Sequence, residues 1–162
     1  MFVLKSEVYL KIILILSFIA LIFAYFVEYI LGHQPCNLCL IERIPYGLSI
    51  ILIGLIFLLN KDKKFLILLL ILTFVFSFVI SVYHYGIEQG FFEESTVCST
   101  KNFTENMTKE NLLKELSEKA ISCKDVTFKV FGLSLTSINI VISLLFTITL
   151  LKIFIKHEKN KY

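Results

Sequence analysis

The stretch FLILLLILTFVFSFVISVYHY, residues Phe65 to Tyr85, runs for 21 positions without one Asp, Glu, Lys or Arg. About 20 apolar residues are what a helix needs to cross roughly 30 Å of hydrocarbon at 1.5 Å per residue. Three further stretches of the same kind flank it, at about residues 12–31, 40–59 and 133–155. Glu28 lies near the end of the first, Glu42 and Arg43 near the start of the second, and Lys152 near the end of the last. Lipid offers no partner to bare backbone N–H and C=O groups, so four spanning helices are expected. Mostly Ile, Leu and Phe, with no alternation of period two, argues against a β-barrel. The expected fold is all-α, a polytopic membrane four-helix bundle.

Composition agrees. The 162 residues are 57% hydrophobic and 18% charged, whereas soluble domains are about 45–50% apolar and about a quarter charged. Intrinsic disorder needs low hydrophobicity and high charge, and is excluded. Two Pro and six Gly leave no room for a long flexible linker, so residues 1–162 read as one domain. The first stretch reads as a retained helix, because it is longer than a signal-peptide core and no small-x-small site follows it.

Charge orients the bundle. The N-terminus, the NKDKK link at 60–64 and the C-terminus from Lys152 hold nine Lys against Glu7, Asp62 and Glu158, a balance of +6. The opposite side comprises Glu28 and two loops, at about 32–43 and 86–131, and carries a balance of −3. By the positive-inside rule both termini are expected in the cytoplasm, with the two loops facing outward. The net charge of +3 is small and unevenly placed, which makes nucleic acid a poor partner.

All four cysteines, Cys36, Cys39, Cys98 and Cys123, fall in the two outer loops. Free Cys is at home in an apolar helix, so its restriction to one side points to disulfide chemistry in an oxidising space. Cys36-Asn37-Leu38-Cys39 is a C-x-x-C whose ring is too small to staple much chain; such pairs suit thiol exchange. Half of a four-cysteine zinc site is the competing reading, disfavoured because the second pair lacks tight ligand spacing. Cys98 and Cys123 lie 25 positions apart, and a bridge there is worth about 3 kcal/mol. Taken alone, that second pair reads equally as a structural staple or as a working disulfide.

The run Pro35-Cys36-Asn37-Leu38-Cys39-Leu40-Ile41-Glu42-Arg43-Ile44-Pro45-Tyr46 resembles the P-C-x-L-C-x-x-[QE]-R-x-P-Y signature of the DsbB family of disulfide bond formation membrane proteins. The likeness extends to four spans, a second Cys pair in the second outer loop, and Phe131-Gly132-Leu133-Ser134-Leu135 with Asn139 at the start of the last span. One departure is the absence of Trp; Phe91, Phe92 and Phe128 are candidates for its place at the outer interface. The resemblance implies a quinone-dependent thiol oxidoreductase of the bacterial inner membrane. Its partner is a DsbA-like periplasmic thioredoxin-fold protein, and its cofactor is ubiquinone or menaquinone. It also implies a relay. Cys98–Cys123 is the disulfide offered to the partner, with Cys98 attacked; Cys123 passes electrons to Cys36, and Cys39 faces the quinone. No resident metal is expected.

Other residues enter around that relay. Arg43 lies four after Cys39, so the two share a helix face, and a guanidinium there suits a thiolate or an electron-rich ring. Snorkelling to headgroups or pairing with Glu42 is the alternative. Glu42 either orients Arg43 or sits in the headgroup layer. His84, between Tyr83 and Tyr85, stands at the depth of a quinone head group near Cys39, or belongs to the interfacial aromatic belt. His33 reads as a solvated loop residue and Glu28 as reaching the headgroups.

In the long loop, Leu112, Leu113, Leu116, Ala120 and Ile121 form one stripe, which predicts an amphipathic helix over 108–121. Glu110–Lys114 and Glu115–Lys119 support it. Asn102 and Asn106 begin N-x-[ST] triplets, a weak pattern. Two other function classes fit parts of the pattern. A non-enzymatic four-span scaffold with structural disulfides gives no reason for Arg43 after Cys39. A vitamin K epoxide reductase-like enzyme carries its quinone-facing C-x-x-C after the loop cysteines, the reverse of the order here.

Overall fold

The computed structural model describes residues 2–59, 63–93, 98, 122–124, 129–130 and 132–159. The expected 108–121 helix, Phe128 and both N-x-[ST] triplets lie outside the described residues. Among the described residues four long helices run α1 (Phe2–Tyr29), α2 (Asn37–Leu58), α3 (Lys63–Glu88) and α4 (Leu135–Lys159). Each is long and apolar enough to cross a membrane. A two-residue hairpin, β1 (Lys129–Val130) and β2 (Leu133–Ser134), precedes α4 and pairs Lys129 with Ser134. Its turn holds Gly132 at φ +84°, a conformation that costs glycine little.

The helix ends differ from the expected spans for local reasons. Cys36 caps α2, its sulfur accepting the backbone N–H of Cys39 at 3.2 Å. That cap draws the helix start back to Asn37, so Cys39 lies in the first turn and not in a loop. At the other end of the site, α3 runs on to Glu88. It closes with Gly90 N–H on the Ile87 carbonyl at 3.0 Å and Phe91 N–H on the Gly86 carbonyl at 2.8 Å, a Schellman closure around Gly90 at φ +77°. Phe92 folds back over Gly86, where a Cβ would meet its ring at 2.2 Å. The same ring stacks on Tyr83 at 5.7 Å.

Packing follows the chain order. α3 lies most extensively against α4 and then α2, α1 lies against α2, and α1 and α4 scarcely touch. Buried Phe74 anchors the centre, edge-on to Tyr46 at 6.1 Å and to Phe146 at 5.0 Å. Small and polar side chains join the helices, as expected where lipid removes the hydrophobic drive between them. Ser17 of α1 meets Ser49 of α2, and Ser77 of α3 meets Ser143 of α4, each pair 3.0 Å apart. Asn139 of α4 donates to Ser81 of α3 at 2.7 Å and accepts the hydroxyl proton of Tyr46. Meanwhile Ile19, Ile51, Val79 and Leu145 stand more than half exposed on the outside. Contiguous exposed apolar surface of this kind suits lipid and not water.

Phe74→Ala is therefore expected to weaken the bundle by about 1–3 kcal/mol, less than the roughly 3–5 kcal/mol of a water-soluble core, because lipid also solvates an exposed ring. Denaturant unfolding in mixed micelles measures it, and an unchanged midpoint contradicts the central position of Phe74.

Candidate functional site

Three chain segments converge at one end of the bundle: the capped start of α2, the last turn of α3, and the hairpin leading into α4. The α2 start contributes Cys36, Cys39, Glu42 and Arg43, spaced by the helix repeat. His84 and Glu88, four apart, share one face of α3. Thr136 comes from the first turn of α4.

His84 organises the cluster. Its ring is only 2% exposed, and Nδ1 stands 3.1 Å from Glu42 Oε1. An ionised carboxylate only accepts, so Nδ1 carries the proton and donates it to Glu42. Nε2 is then turned to Cys36 Sγ at 3.5 Å, with Glu88 Oε1 3.9 Å from the same nitrogen. The Thr136 hydroxyl donates to Glu88 Oε1. The other oxygen of Glu88 is buried and has no hydrogen-bond partner. Sequence reasoning set His84 at the depth of a quinone head group near Cys39, or in the aromatic belt; in the structure its ring lies against Cys36, with the Cys39 sulfur within 4.8 Å.

Cys36 is 5% exposed and precedes the spanning part of α2. Its thiol is lowered from 9.0 to about 5, first by the hydrogen bond from the Cys39 side chain and then by His84, against the opposing effect of burial. A sulfur at a helix N-terminus is where a thiolate is favoured. Cys39 is free and half-buried. Cys98 and Cys123 are bonded to one another, with Cα atoms 5.5 Å apart, which removes them from any four-cysteine metal set. Both are buried in one cluster with Cys36, Leu38 and Ile87, so the fold gathers the two Cys pairs.

Arg43 reaches α1. Nη1 donates to Glu28 Oε2, and the guanidinium lies 5.1 Å from the centre of the Tyr25 ring. Glu28 thus pairs inside the protein, and Arg43 pairs with it and not with Glu42. A cavity of about 480 Å³ opens beside these groups, in the gap between α1 and α4. Its polar end holds Cys36, Cys39, Glu42, Arg43, His84, Glu88, His33 and Cys123. Its long wall is apolar, with Leu16, Ala20 and Val27 of α1 facing Ile142 and Phe146 of α4. Sequence reasoning did not single out Glu88 or Tyr25. The i,i+4 spacing of Glu88 from His84 was the available signal for the first; nothing local marked the second.

The family model for Disulfide bond formation protein DsbB matches residues 6–153. The chain belongs to the DsbB family. It is a multi-pass membrane protein of a family of oxidoreductases in disulfide bond formation. An uncharacterized protein of Rickettsia prowazekii (strain Madrid E) is 31% identical over 153 residues, covering 93% of this chain and 88% of that one. No solved structure matches.

Alkylation of Cys36 in the reduced chain by a small reagent is expected to be level above about pH 6 and to fall tenfold per pH unit below about 5, as the thiolate is protonated. Cys39→Ala removes the largest stabilising contact and should move the inflection furthest upward, with His84→Gln moving it less. Mass spectrometry of the labelled peptide reads the rate. An inflection that stays near 9.0 in the wild type contradicts the assignment.

Proposed function

We propose that this DsbB-family protein takes electrons from a reduced DsbA-like periplasmic protein and delivers them to membrane quinone. On this reading it sits in the bacterial inner membrane, both termini cytoplasmic and both Cys pairs facing the periplasm. The observation that carries the proposal is the free Cys36/Cys39 dithiol at the polar end of an apolar cavity open between α1 and α4. From Val27 to Leu16 the α1 wall runs 11 positions, roughly 17 Å at 1.5 Å per residue, and is open on a side that lipid can reach. An apolar molecule with a polar head fits such a space better than a soluble substrate does.

The electron balance runs through the sulfurs. A thiolate of the partner attacks Cys98 Sγ, a new S–S bond forms, and Cys123 leaves as a thiolate. The partner's second thiol then resolves that mixed disulfide and departs oxidised, leaving Cys98 and Cys123 reduced. In the next exchange Cys123 attacks the Cys36–Cys39 disulfide at Cys36 and expels Cys39, and Cys98 closes back onto Cys123. Two electrons and two protons now rest on Cys36 and Cys39. Quinone, when bound, supplies a two-electron, two-proton acceptor that restores the Cys36–Cys39 disulfide.

The surrounding residues handle charge and protons. Glu42 fixes the His84 ring so that Nε2 takes the Cys36 proton, holding that sulfur as thiolate and as a good leaving group. Arg43, steadied by Glu28 and Tyr25, keeps a guanidinium at the polar end, where it favours negative charge on Cys39 or on a bound head group. Asn139 and Tyr46 close the floor of that end.

Purified protein in lipid, given a reduced DsbA-like protein and a soluble quinone analogue, is expected to consume quinone absorbance. Cys39→Ser and Cys98→Ser should each abolish turnover, and Arg43→Ala should slow it by about 100- to 1000-fold, the range of a lost charge-stabilising donor. A folded wild type that reduces no quinone with several such partners would overturn the proposal.

A further inference from the structure

The His84 cluster holds more donors than thiol exchange uses. Cys36 Sγ, Cys39 Sγ and a His84 ring nitrogen all lie within 4.8 Å of one another. Glu88, its side chain 6% exposed, adds a carboxylate on the Nε2 side of the ring, with one oxygen lacking any partner. In a tetrahedral zinc site with Zn–S of about 2.3 Å and Zn–N of about 2.05 Å, the S···N edge is about 3.6 Å, and an N···O edge is about 3.4 Å. Cys36 Sγ stands 3.5 Å from Nε2, and Glu88 Oε1 stands 3.9 Å from it. The sulfur–nitrogen edge is tetrahedral as it stands, while Glu88 lies outside the 4.8 Å group of Cys36, Cys39 and His84 and must turn its carboxylate inward to join it. Behind the ring, Glu42 accepts from Nδ1 and so leaves Nε2 as the free donor, the carboxylate–histidine arrangement found behind metal-bound imidazoles.

We infer that the reduced site is a binding site for a thiophilic divalent cation, of which Zn²⁺ is the type. Cys36, Cys39 and His84 are its ligands, and Glu88 takes the fourth position once its side chain turns inward. Binding forms two metal–thiolate bonds and one metal–imidazole bond, and releases to solvent the Cys39 thiol proton and the proton that His84 Nε2 has taken from Cys36; no electrons move. The cation competes with disulfide formation, because the Cys36–Cys39 bond consumes the sulfur pairs that hold the metal. The site therefore exists only in the dithiol state, and a bound cation arrests electron flow there. The inference rests on the Cys36/Cys39 dithiol and not on the quinone reading.

The test uses the full chain carrying Cys98→Ser and Cys123→Ser, reduced, in detergent or lipid, freed of metal by chelator and titrated with Co²⁺ alone. One Co²⁺ per chain is expected, with thiolate-to-cobalt absorption bands that Zn²⁺ bleaches and that diamide oxidation of Cys36 and Cys39 abolishes. Glu88→Gln should weaken Zn²⁺ at least tenfold in chelator competition, and Glu42→Gln by about 10- to 100-fold, the usual span for the group behind a ligating ring. His84→Gln should weaken it further, while His84→Cys, which restores a third soft ligand, should keep one-to-one binding. No thiolate bands in a helical, reduced chain overturns the site. So does an affinity unchanged by both Glu88→Gln and His84→Gln, since the dithiol alone would then be the ligand. Neither quinone nor partner is present, so failure here leaves the proposed electron transfer standing, and failure of that transfer leaves this result intact.

Discussion

Lipid accepts no hydrogen bonds, so polar side chains carried into the bundle by four apolar helices must find their partners within it. That requirement arranges the interior. Ser17 meets Ser49, Ser77 meets Ser143, and Asn139 spans from Tyr46 to Ser81, each contact crossing between helices. Near the outer end expected from the charge pattern, Glu42, His84, Glu88 and Thr136 form a larger version of the same solution. The one buried side-chain oxygen without a partner among the described residues belongs to Glu88, beside His84. A functional site is where such a defect is tolerated.

Cys36 does two jobs with one atom. Its sulfur caps α2 by accepting the Cys39 N–H, and the same sulfur faces His84. A cap favours a negatively charged acceptor, because it stands at the positive end of the helix dipole. The local demand of helix termination and the chemical demand for a thiolate therefore point the same way. Pro35 directly before it and Asn37 directly after fit a chain that enters the helix at this residue.

The near absence of contact between α1 and α4 shapes the rest. Four helices joined in sequence as α1–α2–α3–α4 would enclose a closed core if their ends met. Here they leave a cavity whose polar end is lined by the site and whose walls are apolar. The Arg43–Glu28 pair, with Tyr25 under the guanidinium, ties α1 to α2 at the polar end without closing the gap below.

The sequence by itself determined the membrane class, the four long apolar helices among the described residues and the family. Each of these is written in local quantities: the uncharged run of Phe65 to Tyr85, its three companions, and the Pro35–Tyr46 motif. Helix ends were less legible, because the Cys36 cap and the Gly90 closure depend on contacts a few residues away, and each extended a helix into what read as loop. Only the tertiary structure decided who meets whom. His84 lies against Cys36, Glu42 turns to His84 and not to Arg43, and Glu28 turns inward to Arg43, each joining residues 15 to 48 positions apart. Periodicity fixes the face on which a residue sits. Which residue of another helix shares that face depends on how the helices are rotated and offset against one another, and packing alone sets that.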